Sequence, residues 1–316
     1  MAHSTLPITN QAETDRSTAL SLFVSLRPSQ WTKNLIVFAA LLFGQRDGAP
    51  AFLDPQAITR ALIAFLIFCG LSGVVYLIND VADRDKDRLH PLKRRRPIAA
   101  GAVSPSLALG TAALLAVGAL AGSYALRPAF ALVSLAYVAL LALYSGPLKH
   151  VVIIDVLTIA IGFVLRAVAG GVAIGVSVDH WLLILTILLA LFLALSKRRH
   201  ELVMLADGAT GHRPILEEYS PYLLDQMIAV VTASTLVTYV ISTVSDETVR
   251  KYHTDYLGLT VVFPLYGIFR YLYLVHQKEG GGSPSDMLLN DRPLLACVAL
   301  WAVSVAGIIY GTSLVT

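Results

Sequence analysis

The chain has 316 residues, 56% of them apolar and only 14% charged, with a mean hydropathy of +0.69 and a formal net charge of +3. A soluble domain carries roughly 25% charged residues, so this balance excludes an ordinary water-soluble fold and points to an all-α polytopic membrane protein. Cys69 and Cys297 both fall in apolar stretches, which excludes a disulfide framework or a cysteine metal centre.

In chain order, residues 1–26 read as a polar or interfacial arm and residues 27–316 as a single helical bundle, with no soluble domain left over. The first twenty residues contain no apolar core, so a cleaved signal peptide is not expected and the N-terminus is expected in the cytoplasm. Nine apolar segments follow: 32–44, 58–78, 106–126, 129–144, 151–175, 180–196, 223–244, 256–275 and 294–315. The first is short, and Leu20, Phe23, Val24 and Leu26 before it suit an interface. Most of the 24 Lys and Arg fall in the arm and in every second connection, which places those connections in the cytoplasm. An odd number of spans then puts the C-terminus outside.

The most informative stretch is Asn79-Asp80-Val81-Ala82-Asp83-Arg84-Asp85-Lys86-Asp87-Arg88, directly after the second span. On a continuing helix Asp80, Asp83 and Asp87 stand at i, i+3 and i+7 and share one face. Three carboxylates at a membrane edge repel one another, and a divalent cation carrying a phosphorylated ligand removes that cost. A magnesium site is therefore expected on all three, with a solvated acidic loop as the bland alternative. Lys93-Arg94-Arg95-Arg96 comes next, before a turn bracketed by Pro97 and Gly101. Taken alone it is as well explained by topology or anionic lipid, but beside the aspartates it suits a phosphate.

Lys149 follows Tyr144 in the next cytoplasmic connection, and Asp155 and Arg166 lie three turns apart on one side of the fifth span, with Gly162 between them. A site role is expected for Asp155 and a structural ion-pair network for Arg166. Lys197-Arg198-Arg199-His200-Glu201 closes the sixth span, either as an ordinary i, i+4 pair or as a phosphate clamp, the clamp being favoured. Tyr219 sits in a loop to which no role is given, Asp286 and Asp291 read as helix caps, and Lys33 is placed to reach phosphate from the first segment. Neither a nucleophile–base spacing around the eight His nor a phosphate-binding Gly-rich loop is present. The basic patches lack aromatic interleaving, so nucleic acid is not an expected partner.

Nine spans with Asn-Asp-x-x-Asp-x-x-x-Asp-Arg after the second resemble the UbiA superfamily of intramembrane prenyltransferases. Within it the chain is more similar to the decaprenyl-phosphate phosphoribosyltransferase branch. That similarity is carried by Arg27-Pro28-x-Gln30-Trp31-x-Lys33-Asn34, His90-Pro91-x-Lys93-Arg94, Arg96 to Gly101, Leu148-Lys149-His150, Leu165-Arg166-Ala167, Ala169-Gly170-Gly171, Lys197-Arg198 with Glu201-Leu202, and Asp291-Arg292. The resemblance implies a nine-transmembrane-helix bundle with Mg2+ at its cytoplasmic mouth, and a bacterial cytoplasmic-membrane transferase of cell-wall precursor synthesis. The substrates it implies are phosphoribosyl pyrophosphate and a polyprenyl phosphate, bound through Lys33, Asn79, Lys93, Arg96, Tyr144, Lys149, Asp155, Lys197, Arg198 and Glu201. A homo-oligomer is compatible with it. Ordinary prenyltransferases of the superfamily carry a second aspartate motif after the sixth span; here the basic run 197–201 stands instead. That departure puts an allylic diphosphate donor in doubt. Prenyl transfer to an aromatic or other small acceptor is the alternative activity.

Overall fold

The computed structural model describes residues 17–46, 49–90, 93–206, 214–278 and 284–311. Short α1 (Thr18–Ser25) leads into a 3-10 segment, Pro28–Phe38, and α2 (Ala39–Phe43). A two-stranded antiparallel hairpin, Gln45–Arg46 with Ala49–Pro50, turns the chain into α3 (Pro55–Ala82). Next come α4 (Arg84–Leu89), α5 (Pro97–Ala100), α6 (Pro105–Leu126), α7 (Pro128–Ser145), α8 (Ile154–Ile174) and α9 (His180–Ala206). The chain continues through α10 (Pro221–Val244), α11 (Asp246–Tyr252), α12 (Val262–Gln277), α13 (Pro284–Asn290) and α14 (Arg292–Gly311).

Local chemistry explains where the long helices start. Proline occupies the first position of α3, α6, α7 and α10, where its missing N–H costs nothing. Asp54, Ser104 and Ser220 cap three of them by accepting the amides of Gln56, Leu107 and Leu223.

Eight helices among the described residues are long and apolar enough to cross a membrane. The expected first span, 32–44, is not among them. Its place is taken by eleven residues of 3-10 helix followed by five of α-helix. At rises of about 2.0 and 1.5 Å per residue these still extend about 30 Å, the depth of a hydrocarbon core. The segment lies close against α8 because Gly170 has no side chain: a Cβ there would stand 2.0 Å from the Val37 carbonyl oxygen. The expected last span ends at 315, and residues 312–316 lie outside the described ones.

One buried cluster joins Val37 to Phe68 and Leu71 of α3, Phe130 and Tyr137 of α7 and Ala169 of α8. A second joins Phe192, Leu195, Leu224, Ile228, Tyr271 and Leu294, so α9, α10, α12 and α14 form the other half. Leu66, Leu114, Leu132, Val230 and Val303 point outward and are exposed. Such a surface is unfavourable in water and natural in lipid.

Candidate active site

Helix α3 stops at Asp83 (φ −93°, ψ 6°), which also caps α4. The i→i−4 bonds run on through the break, from the Asp83 amide to Asn79 and from the Asp87 amide to Asp83, both at 2.8 Å. Asp80 and Asp87 therefore still converge, and both are almost completely buried. The 93–100 segment folds back and places Arg96 between them: Nη1 donates to Asp80 Oδ1 at 3.1 Å and to Asp87 Oδ2 at 2.6 Å. From the start of the chain, Arg27 Nη2 donates to the same Asp80 oxygen at 2.5 Å while its guanidinium lies over the Tyr76 ring.

The three aspartates do not stand alike. Asp83 is half-buried and takes no part in this ion-pair group. Only Asp179, His180 and Glu247, at the opposite end of the bundle, form a trio of potential ligands gathered within 4.8 Å among the described residues. In that trio Asp179 already pairs with Lys251 at 3.2 Å. The aspartate end still suits a hard cation, because its donors are all oxygen: the remaining oxygens of Asp80 and Asp87, Asp83, and the half-buried Asn79. Magnesium is commonly held by one or two carboxylates with substrate phosphate and water, so a tight trio is not required.

A second network lies at the same end. Asp155 is fully buried; its Oδ2 accepts from Arg198 Nε at 3.0 Å and its Oδ1 from the Tyr219 hydroxyl at 2.8 Å. Arg198 also donates to Glu201 and, at 3.4 Å, to Tyr144. Arg198 is only 1% exposed, and three of its five N–H donors, one on each guanidinium nitrogen, are spent on Asp155, Glu201 and Tyr144, so it is turned inward rather than toward a phosphate. The clamp expected of Arg198 and the direct ligand role expected of the fully buried Asp155 are corrected accordingly, while Glu201 and Tyr144, both partly exposed, are tied to the same guanidinium. Lys197 lies 3.9 Å from Glu201, and Lys149 carries no ion pair among the described residues.

Asp155 and Arg166 do not share partners. Arg166 donates to Asn34 at 2.7 Å, to the Tyr137 hydroxyl at 2.5 Å and to the Gly162 carbonyl at 3.0 Å. The ion-pair network expected of Arg166 is thus replaced by one of neutral partners, and the room above Gly162 is filled by Arg166 itself. Lys33 stands near both networks, with Lys197, Arg166 and Arg27 as repelling neighbours and Asp286 as an attracting one. Lys93 is half-buried beside His90, whose ring accepts its amide at 3.3 Å.

Sequence reasoning missed Arg27, Asn34 and Tyr219 as members of these networks. Arg27 and Asn34 stood inside a quoted motif, whereas Tyr219 had no local signal. Its place depends on a backbone feature: Ile153 adopts φ 68°, ψ −43°, and the Ile154 amide donates to the Val152 carbonyl at 2.8 Å, forming a γ-turn. A β-branched residue in that region costs about 1–3 kcal/mol and marks a strained site. The Ile153 amide is received by the Tyr219 hydroxyl at 2.7 Å. Burial, joined by the Asp155 carboxylate, pushes the Tyr219 phenol up to about 12, so it remains a donor at neutral pH.

The sequence matches the UbiA prenyltransferase family over residues 34–290. The chain belongs to this family. It is accordingly an integral membrane transferase. The chain is 33% identical over 298 residues to the decaprenyl-phosphate phosphoribosyltransferase of Mycolicibacterium smegmatis, covering 92% of each chain. It is 32% identical over 302 residues to the enzyme of the same name from Corynebacterium glutamicum, covering 93% of this chain and 88% of that one. The fold is that of a UbiA homolog from Archaeoglobus fulgidus bound to GPP and Mg2+, with a TM-score of 0.68 at 20% identity over 93% of this chain and 99% of the other. The UbiA bundle thus accounts for the two packed halves described above.

Proposed function

We propose that this UbiA-family chain transfers 5-phosphoribose from phosphoribosyl pyrophosphate to a polyprenyl phosphate at the cytoplasmic face of a bacterial membrane. The observation that carries this reading is the 33% identity, over 92% of both chains, to a decaprenyl-phosphate phosphoribosyltransferase. Of the basic run at 197–201 only Lys197 adds support, as a cation for the second phosphorylated end that the phosphoribosyl donor has and a prenyl diphosphate lacks, since Arg198 and Arg199 pair with Asp155 and Asp225.

Magnesium use is supported by the metal in the Archaeoglobus homolog. Asp83, Asn79 and the outer oxygens of Asp80 and Asp87 would hold the ion here, where it would offset charge on the departing pyrophosphate. Lys33, Lys93 and Lys149 supply cations at the same mouth, and Lys197 adds a fourth beside Glu201. The attacking oxygen belongs to a phosphate already anionic at neutral pH, so no side-chain base is needed. Direct displacement inverts the sugar carbon. The 30 Å reach of the first segment and the Lys/Arg bias support a nine-crossing topology with the N-terminus in the cytoplasm.

The GPP in the Archaeoglobus homolog favours one second reading, prenyl transfer from a diphosphate. Purified protein with magnesium, radiolabelled phosphoribosyl pyrophosphate and decaprenyl phosphate separates the two. A labelled lipid is expected. Its absence, together with consumption of geranyl diphosphate in the presence of an aromatic acceptor, overturns the proposal.

A further inference from the structure

Tyr219 belongs neither to the aspartates nor to the basic rim, yet its hydroxyl is where two buried pieces of the mouth meet. It accepts the Ile153 amide at 2.7 Å and donates to Asp155 Oδ1 at 2.8 Å, with only 4% of the residue exposed. Its ring comes from the connection between α9 and α10, just after the 3-10 turn Pro214–Glu218, whose Ile215 and Leu216 anchor it in the core. The amide it holds belongs to the connection between α7 and α8, which carries Lys149 on the 3-10 turn Leu148–His150.

Ile153 cannot hold its conformation cheaply by itself. Its φ of 68° lies in a region that L side chains rarely adopt, and a branched Cβ makes it worse. Among the described residues the Tyr219 hydroxyl is the partner of its amide, and the same hydroxyl fixes the carboxylate two residues later. Lys149 is four residues before the turn and has no ion pair to orient it.

We infer that Tyr219 is a positioning residue: its hydroxyl keeps the γ-turn at Ile153 closed and thereby sets where Lys149 meets the phosphorylated donor. The functional half of this inference rests on the phosphoribosyl-transfer reading above. The structural half does not.

The test compares the wild type, Tyr219→Phe and the double variant Tyr219→Phe/Ile153→Gly, each purified in detergent as a monodisperse full-length protein. Amide hydrogen exchange over residues 148–154 reads the turn directly, and steady-state kinetics with magnesium and phosphoribosyl pyrophosphate read its effect. In Tyr219→Phe, exchange over 148–154 is expected to rise at least tenfold. The KM for the donor should rise about tenfold while kcat changes by less than threefold and the KM for the lipid stays put. Glycine adopts positive φ without help, so the double variant should recover most of the donor KM. A residue that merely stabilised the bundle would lower the amount of active enzyme, leave KM alone and gain nothing from glycine.

Unchanged exchange in Tyr219→Phe overturns the inference, as does a raised donor KM that glycine fails to restore. If the wild type transfers no phosphoribose, the function proposed above fails on its own. Exchange then still decides the turn, and the KM comparison is made with the prenyl diphosphate the wild type consumes.

Discussion

Arg96 bridges two buried carboxylates with a single guanidinium nitrogen. Truncating it strands Asp87 and leaves Asp80 to Arg27 alone, and breaking a buried pair costs about 3–5 kcal/mol; Arg96 is 29% exposed, so the lower end applies. Arg96→Ala should lose about 3 kcal/mol in thermal or denaturant unfolding in detergent and show no turnover, whereas Arg96→Lys should keep the fold. Asp83 offers the opposite test, since it carries no ion pair here. Asp83→Asn should unfold within 1 °C or so of the wild type yet lose turnover by more than about 100-fold, the scale of removing one electrostatic contact to the reacting charge. A variant that turned over near the wild-type rate would remove Asp83 from the mechanism. The convergence of Asp80 and Asp87 was legible in their spacing, because seven residues are nearly two helical turns. Their neutralisation was not legible, since it depends on Arg27 and Arg96 arriving from 53 and 16 positions away. The commitment of Arg198 was hidden for the same reason: a run of cations looks alike whether it faces phosphate or a buried aspartate 43 positions off.

Among elements, the first crossing segment depends most on one small residue. Gly170→Ala puts a Cβ against the Val37 carbonyl and should destabilise by about 1–3 kcal/mol, as overpacking does. Chemical denaturation in detergent would measure it, and a neutral outcome would show that the segment slides freely on α8. Hydropathy could not anticipate the 3-10 form, because a window of apolar residues reports burial and not rise per residue. The last helix was read more accurately. Asp291 caps α14 through the Leu294 amide at 2.9 Å, and it also receives Arg270 through two nitrogens. The Arg270 hydrogen bonds, with help from that amide, hold its carboxyl below the usual range. A depressed carboxyl contributes stability that is present above the unfolded value, near 3.9, and is lost as pH falls through the folded one. The unfolding temperature should therefore drop below about pH 4, and Asp291→Asn should flatten that part of the profile.

For the molecule as a whole, composition and charge bias were enough to anticipate a helical membrane bundle, because lipid leaves few other ways to satisfy a backbone. Orientation is open to direct measurement. On a background with Cys69 and Cys297 replaced by alanine, a cysteine at Lys86 should react with an impermeant maleimide only in inverted vesicles, and one at Arg250 only in intact cells. The reverse pattern would turn the aspartates outward and detach them from a cytoplasmic donor.

The internal commitment of Arg198 bears on how such enzymes can diverge. Transplanting the acidic motif of the prenyl-transferring branch onto positions 197–201 would delete the cation that Asp155, wholly enclosed, relies upon. Exchange of Arg198 alone would leave Asp155 without its cation. Replacing the pair demands that Asp155 and Arg198 be swapped together, a valley rather than a slope.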